Sequence, residues 1–140
     1  MITAIVAVVT TITLATAIGW LITRQSGQIR PTGSHAGPTP GVSDTDLPLS
    51  STGPTIVHFS APWCGGCIRL RRVVSQVCDN RRGVAHVELD MNTNHVAAQQ
   101  LSVRSLPTTF IFDSAGRQRY RATGIPTVEN LASALETLLG

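Results

Sequence analysis

The stretch HFSAPWCGGCIRL, His58–Leu70, constrains the fold of this chain more than any other. It joins two periodicities. Just before the cysteines, Thr55–Ser60 reads TIVHFS; Ile56, Val57 and Phe59 leave little surface for water, which is the pattern of a central strand. After them, Leu70, Val73, Val74 and Val77 recur at helical spacing, with Arg69, Arg71, Arg72 and Gln76 on the other face. A helix is therefore expected from Cys64 or Cys67 to about Asn80, with Gly83 as a stop. Two cysteines thus sit between the end of a buried strand and the first turn of an amphipathic helix.

The same reading extends to the C-terminus. Val84–Asp90 (VAHVELD) alternates as a strand, and Asn94 to about Leu101 forms a short helix opened by cap-type residues. Thr108–Asp113 (TTFIFD) is a strand, turned at Ser114-Ala115-Gly116 into a hairpin with Gln118–Thr123. Thr127–Leu139 is a last amphipathic helix, with Val128, Leu131, Leu135 and Leu138 on one face. The order β-α-β-α-β-β-α predicts one mixed sheet covered by helices on both faces, in which strands joined by helices run parallel and the closing hairpin is antiparallel.

Cys-x-x-Cys has three physical uses. A zinc site needs two further ligands, and only Cys78 and four histidines remain, none with a second such spacing. Two unrelated thiols would leave the context unexplained. A redox pair fits it best. A cysteine at a helix N-terminus faces unpaired N–H groups and the positive dipole end, which favours thiolate over thiol. Cys64 holds that place, and Cys67, one turn on, can close a disulfide with it. Thiol–disulfide exchange follows: Cys64 attacks, a mixed disulfide forms, and Cys67 resolves it. Gly65 and Gly66 ease the tight loop. Cys78 lies some 16 Å further along the helix (an estimate at about 1.5 Å per residue), too far to bridge to the pair, and is expected to be a small buried hydrophobe.

The chain opens with a different kind of text. Ile2–Thr23 carries no charge and, as a helix of about 33 Å, would cross a hydrocarbon core of about 30 Å. Trp20 stands near its end as an interfacial anchor. Ala15-Thr16-Ala17 resembles a signal-peptide cleavage site, but no basic residue precedes the run and it continues to Ile22, so a transmembrane anchor over residues 1–24 is preferred. Arg24 and Arg30 follow it, which places the C-terminal domain in the cytoplasm by the positive-inside rule. Residues 25–53, rich in Gly, Pro, Ser and Thr, read as a disordered linker, and residues 54–140 as the folded domain. All eleven basic residues are arginine and the net charge is only +3; with 4% aromatic residues, a nucleic-acid-binding stripe is not expected. His35 and His95 lie in polar text with no evident site.

Residues 54–140 resemble the thioredoxin family. The likeness rests on TIVHFSAPWCGGC, SLPTTFIFDSAGR and TGIPTVENLASALETLL. It implies an α/β, thioredoxin-like three-layer sandwich with a mixed, roughly four-stranded sheet, trimmed of the family's first strand and helix and preceded here by one transmembrane helix. It also implies a cis Pro107 opposite the cysteines, beside which substrate backbone pairs, and a Gly124 that keeps the substrate groove open. Trp63 would shield the cysteines and contact substrate. No bound organic cofactor or metal is implied, since the Cys64–Cys67 dithiol carries the electrons. The implied partners are protein disulfide or dithiol substrates, and a reducing partner that is another dithiol protein or a flavin-dependent reductase.

The sequence departs from the family at four places. Gly65-Gly66 replaces the usual Gly-Pro, and Arg72 stands where a proline usually kinks the helix. His58 occupies the position of the buried aspartate that helps deprotonate the resolving thiol, and His86 that of the lysine paired with it. His58 is thus the candidate proton acceptor for Cys67. Two readings from other classes stay open on sequence alone: a thiolate copper(I) handler and a non-catalytic docking module at a membrane.

Overall fold

The computed structural model describes residues 1–32 and 47–140. Its elements are α1 (Ile2–Gln25), β1 (Ile29–Pro31), β2 (Thr55–Ser60), α2 (Gly65–Asp79), β3 (Ala85–Asp90), α3 (His95–Gln100), β4 (Thr108–Phe112), β5 (Gln118–Thr123) and α4 (Val128–Leu139). The sheet order is β1-β5-β4-β2-β3. β2 and β3 pair in parallel across the α2 crossover, whereas β4, β5 and β1 each pair antiparallel to their neighbours.

Alternation along β2 sorts the core into two layers. Val57 and Phe59 pack with Phe110, Phe112, Ala98, Leu101 and Val103 on the α3 side. Ile56 packs with Ile111, and with Leu70, Val74 and Val77 of α2 and Leu131 and Leu135 of α4, on the other side. Each fully buried Leu, Ile or Phe of these layers contributes on the order of 1.5–3 kcal/mol by leaving water. Both long helices of the domain are capped by side chains. Cys64 Sγ accepts from Cys67 N at the start of α2, and Thr127 Oγ1 from Asn130 N at the start of α4.

Two expectations need correction. The sheet has five strands, not four, because Ile29–Pro31, in the segment expected to be linker, pairs with β5. Leu47 and Leu49, also in that segment, pack against the α3-side core. Ordering these pieces is favoured by what they meet: β1 completes the open edge of β5, and the two leucines cover apolar surface. Residues 33–46 of that segment lie outside the described residues. Second, β3 and β4 are joined by a helix yet are not parallel. β2 pairs parallel with β3 and antiparallel with β4. The chain therefore re-enters from the end it left.

α1 makes no core with the domain. Its Ile2–Ile22 span is long and apolar enough to cross a membrane, and none of its residues is buried by the rest of the chain. Threonine hydroxyls in its middle are satisfied inside the helix: Thr10 Oγ1 donates to Val6 O at 2.7 Å and Thr13 Oγ1 to Val9 O at 2.8 Å.

Candidate active site

β2 delivers the chain to its C-terminal end at Ser60, and a tight turn, Cys64 N donating to Ala61 O at 3.0 Å, starts α2. Cys64 is the N-cap residue, with extended backbone, and Cys67 lies in the first turn. Their sulfurs are joined in a disulfide with Cα atoms 5.4 Å apart. Both cysteines are buried, Cys64 at 8% exposure and Cys67 at 2%, so the first is slightly the more accessible of the two. Trp63, beside them, is 74% exposed, a large apolar side chain left open to solvent.

The β4 side completes the site. The Leu106–Pro107 peptide is cis. Leu106 packs against Ala61, Cys64 and Cys67, and Gly124 N donates to Pro107 O at 2.9 Å, tying the end of β5 to the start of β4. Gly66 faces this loop closely: a Cβ there would stand 3.2 Å from Pro107 Cδ. Gly124 has φ +89°, which glycine adopts without cost. The structure thus brings together Trp63, Cys64, Gly65, Gly66, Cys67, Pro107 and Gly124 at one end of the sheet.

His58 lies on β2, the strand that leads to the cysteines. It shares the α2-facing side of β2 with Ile56, and is fully buried. His58 Nδ1 meets His86 Nε2 at 2.9 Å, with the rings stacked at 4.9 Å between centroids. The two histidines noted from sequence are therefore in contact. His58 Nε2 has no hydrogen-bond partner; Glu88 Oε1 stands 3.6 Å away, beyond hydrogen-bond reach. Arg71 of α2 grips Glu88 with two bonds, Nε at 2.8 Å and Nη2 at 2.5 Å. Burial, and then the neighbouring His86, push the His58 pKa down to about 4, and burial lowers that of His86 as well. The Arg71 guanidinium holds the Glu88 carboxyl down to about 2. At neutral pH the pair is thus two neutral imidazoles beside an ionised carboxylate. The polar neighbour of Cys67 Sγ is Phe59 O at 4.0 Å.

The Glu88–Arg71 part of this cluster was missed in the sequence. Its signal is the register of β2 with β3, which sets Ile56 opposite His86 and His58 opposite Glu88, all facing α2. Cys78 is a free thiol, half-buried against the α2–α4 core, and burial pushes its pKa up. Arg69 is exposed. Among the described residues no group of three or more His, Cys, Asp or Glu could hold a metal ion.

Comparison with known proteins matches this geometry. The family model described as Thioredoxin matches residues 45–137. The thioredoxin of Synechocystis sp. is 37% identical over 105 residues, covering 72% of this chain and 97% of that protein. Thioredoxin 1 of Nostoc sp. is 33% identical over 89 residues, 63% of this chain and 82% of that protein. Among solved structures, chloroplastic thioredoxin z superposes with a TM-score of 0.57 at 28% identity, covering 63% of this chain and 80% of that one. A mutant thioredoxin from Halobacterium salinarum superposes with a TM-score of 0.60 at 26% identity, covering 65% and 79%. With a Cys64–Cys67 disulfide at the start of α2 and a family match over most of the folded residues, this chain belongs to the thioredoxin family and is a thiol–disulfide oxidoreductase.

Proposed function

We propose that the chain is a membrane-tethered protein-disulfide reductase. The observation that carries the redox assignment is the Cys64–Cys67 disulfide at the start of α2, with Cys64 at the helix N-cap and the less buried of the two. Cys64, as thiolate, attacks one sulfur of a substrate disulfide. The other substrate sulfur leaves as thiolate and takes a proton. Cys67 then attacks Cys64 Sγ, releasing the second substrate thiol and leaving the Cys64–Cys67 disulfide, so two electrons pass from the dithiol to the substrate. A reducing partner, a dithiol protein or a flavin-dependent reductase, restores the dithiol.

The other residues support these steps. Cys67 must lose its proton while buried, where desolvation opposes charge. His58, neutral at pH 7 and on the same side of β2 as α2, is the acceptor for that proton, and a new thiolate nearby would favour its imidazolium form. Trp63 and the Pro107 loop flank Cys64 and receive the substrate backbone, and Gly65 and Gly66 let it approach. α1 anchors the domain, and Arg24 and Arg30 after it favour a cytoplasmic domain, where reduced thiols favour the reductase direction.

Reduction of insulin disulfides with dithiothreitol as electron source tests this reading. The wild-type chain is expected to accelerate precipitation of the freed insulin chains at least tenfold over dithiothreitol alone, and Cys64→Ser to abolish the acceleration. Equal rates for the two proteins would contradict it.

A further inference from the structure

α1 does not end in a free tether. Gly27 N donates to Thr123 O at 2.6 Å and Thr32 N to Arg119 O at 2.9 Å, so the chain is laid along β5 within a few residues of the helix. The register places Arg30 directly opposite Arg121, and cross-strand partners share a sheet face. Like charges opposite one another destabilise a sheet. Among the described residues no carboxylate forms an ion pair with either arginine. The Arg–carboxylate ion pairs among the described residues join Arg71 to Glu88, Arg81 to Glu136, and Arg117 and Arg119 to Asp113; Arg30, Arg104 and Arg121 are in none.

Arg121 is also held in place. Its Nη1 and Nη2 donate to Leu101 O and Ser102 O at 2.8 Å each, and its guanidinium lies 5.0 Å from the centre of the Phe110 ring. Burial, and then the charge of Arg104, push its pKa down, the mark of a cation short of anions. Beside the arginine pair opens a cavity of about 330 Å³, lined by Ile22, Ser26, Gln28, Arg30, Arg121 and Thr123. Its walls differ in kind. Ile22 ends the apolar span of α1; the remainder offers hydroxyls, an amide and two guanidiniums, donors suited to phosphate oxygens.

Resting on the reading of α1 as a membrane span, we propose that this cavity binds the phosphate headgroup of an anionic phospholipid, its acyl chains lying along α1 and its phosphate against Arg30 and Arg121. The anion offsets the positive charge of the two arginines and fixes the domain against the bilayer. The fixed end of the sheet is the one that carries the cysteines. Gly27 packs against Ile125, Gly124 bonds to Pro107, and Pro107 lies against Gly66. The lipid therefore holds the cysteine edge at the membrane surface, where disulfides in membrane-adjacent segments are the substrates within reach.

Native mass spectrometry of the full chain released from detergent micelles tests the site, with phosphatidylglycerol, phosphatidylcholine or inorganic phosphate added separately. The wild-type chain is expected to retain one phosphatidylglycerol under conditions that strip phosphatidylcholine. Arg30→Gln, at an exposed position, should weaken retention about fivefold, while Arg82→Gln, remote from the cavity, should leave it unchanged. A thermal melt confirms that both variants fold. Equal retention of the two lipids, retention unaffected by Arg30→Gln, or binding of inorganic phosphate without preference for the lipid would overturn the proposal. Alkaline extraction of membranes separates the two layers of the argument. A chain released by alkali refutes the membrane span and the headgroup site with it, whereas a chain retained but unselective for lipid refutes the headgroup site alone.

Discussion

His58 and His86 show how two replacements recast a buried site. Where the family sets a carboxylate and an ammonium, this chain sets two imidazoles in contact, with Glu88 and Arg71 forming the charged pair nearer the surface. This makes the protein sensitive to acid. The unfolded chain binds a proton at His58 near the ordinary value of 6.5, while the folded chain refuses it until about 4. Stability from this group is therefore complete above pH 6.5 and is lost as the pH falls towards 4, by about 3 kcal/mol in all. Glu88, whose folded pKa is depressed, adds to the loss at still lower pH. Thermal unfolding between pH 7.5 and 4 should show a steep fall in Tm, and His58→Leu should flatten it between 6.5 and 4. A slope unchanged in His58→Leu would show that other groups carry the effect. The two histidines were legible in the sequence because they stand at positions marked by distance from Trp63 and Asp90. Glu88 and Arg71 were not, because their meeting depends on a strand register and a helix rotation that no local pattern states.

At the scale of elements, legibility followed the strength of the periodic signal. α2 and α4 were readable because their apolar residues recur at helical spacing over three or more turns, and the structure buries Leu70, Val74, Val77, Leu131 and Leu135 as that spacing requires. Truncation at this interface should be costly: Leu131→Ala, at a site with no solvent exposure, is expected to lower stability by about 2–5 kcal/mol in a urea titration. A loss below about 1 kcal/mol would mean that the packing of α4 against α2 and the sheet is wrong. β1 was not legible. Ile29-Arg30-Pro31 is too short for any period and contains a proline; it is a strand only because β5 offers it an edge. The direction of β4 was misread for a related reason, since a helix between two strands does not by itself say from which end the chain re-enters the sheet.

The whole molecule joins an apolar helix to a redox domain through a junction that lies against the active-site end of the sheet. The helix itself was plain in the sequence as an uncharged run; the junction was not, because Gly27 and Gly124 are neighbours only after β1 pairs with β5. A fluorescent-protein fusion after Gly140 should fluoresce if the domain lies in the cytoplasm, as Arg24 and Arg30 favour. An alkaline phosphatase fusion active at the same point would instead place the domain outside. The central claim, that Cys64 attacks and Cys67 resolves, is tested most directly by trapping the intermediate. Incubated with a disulfide-containing substrate protein, Cys67→Ser should accumulate a covalent complex at Cys64 that dithiothreitol dissolves, and Cys64→Ser should accumulate none. A complex that forms as readily in Cys64→Ser, or that fails to form in Cys67→Ser while the folded protein is intact, would contradict the account.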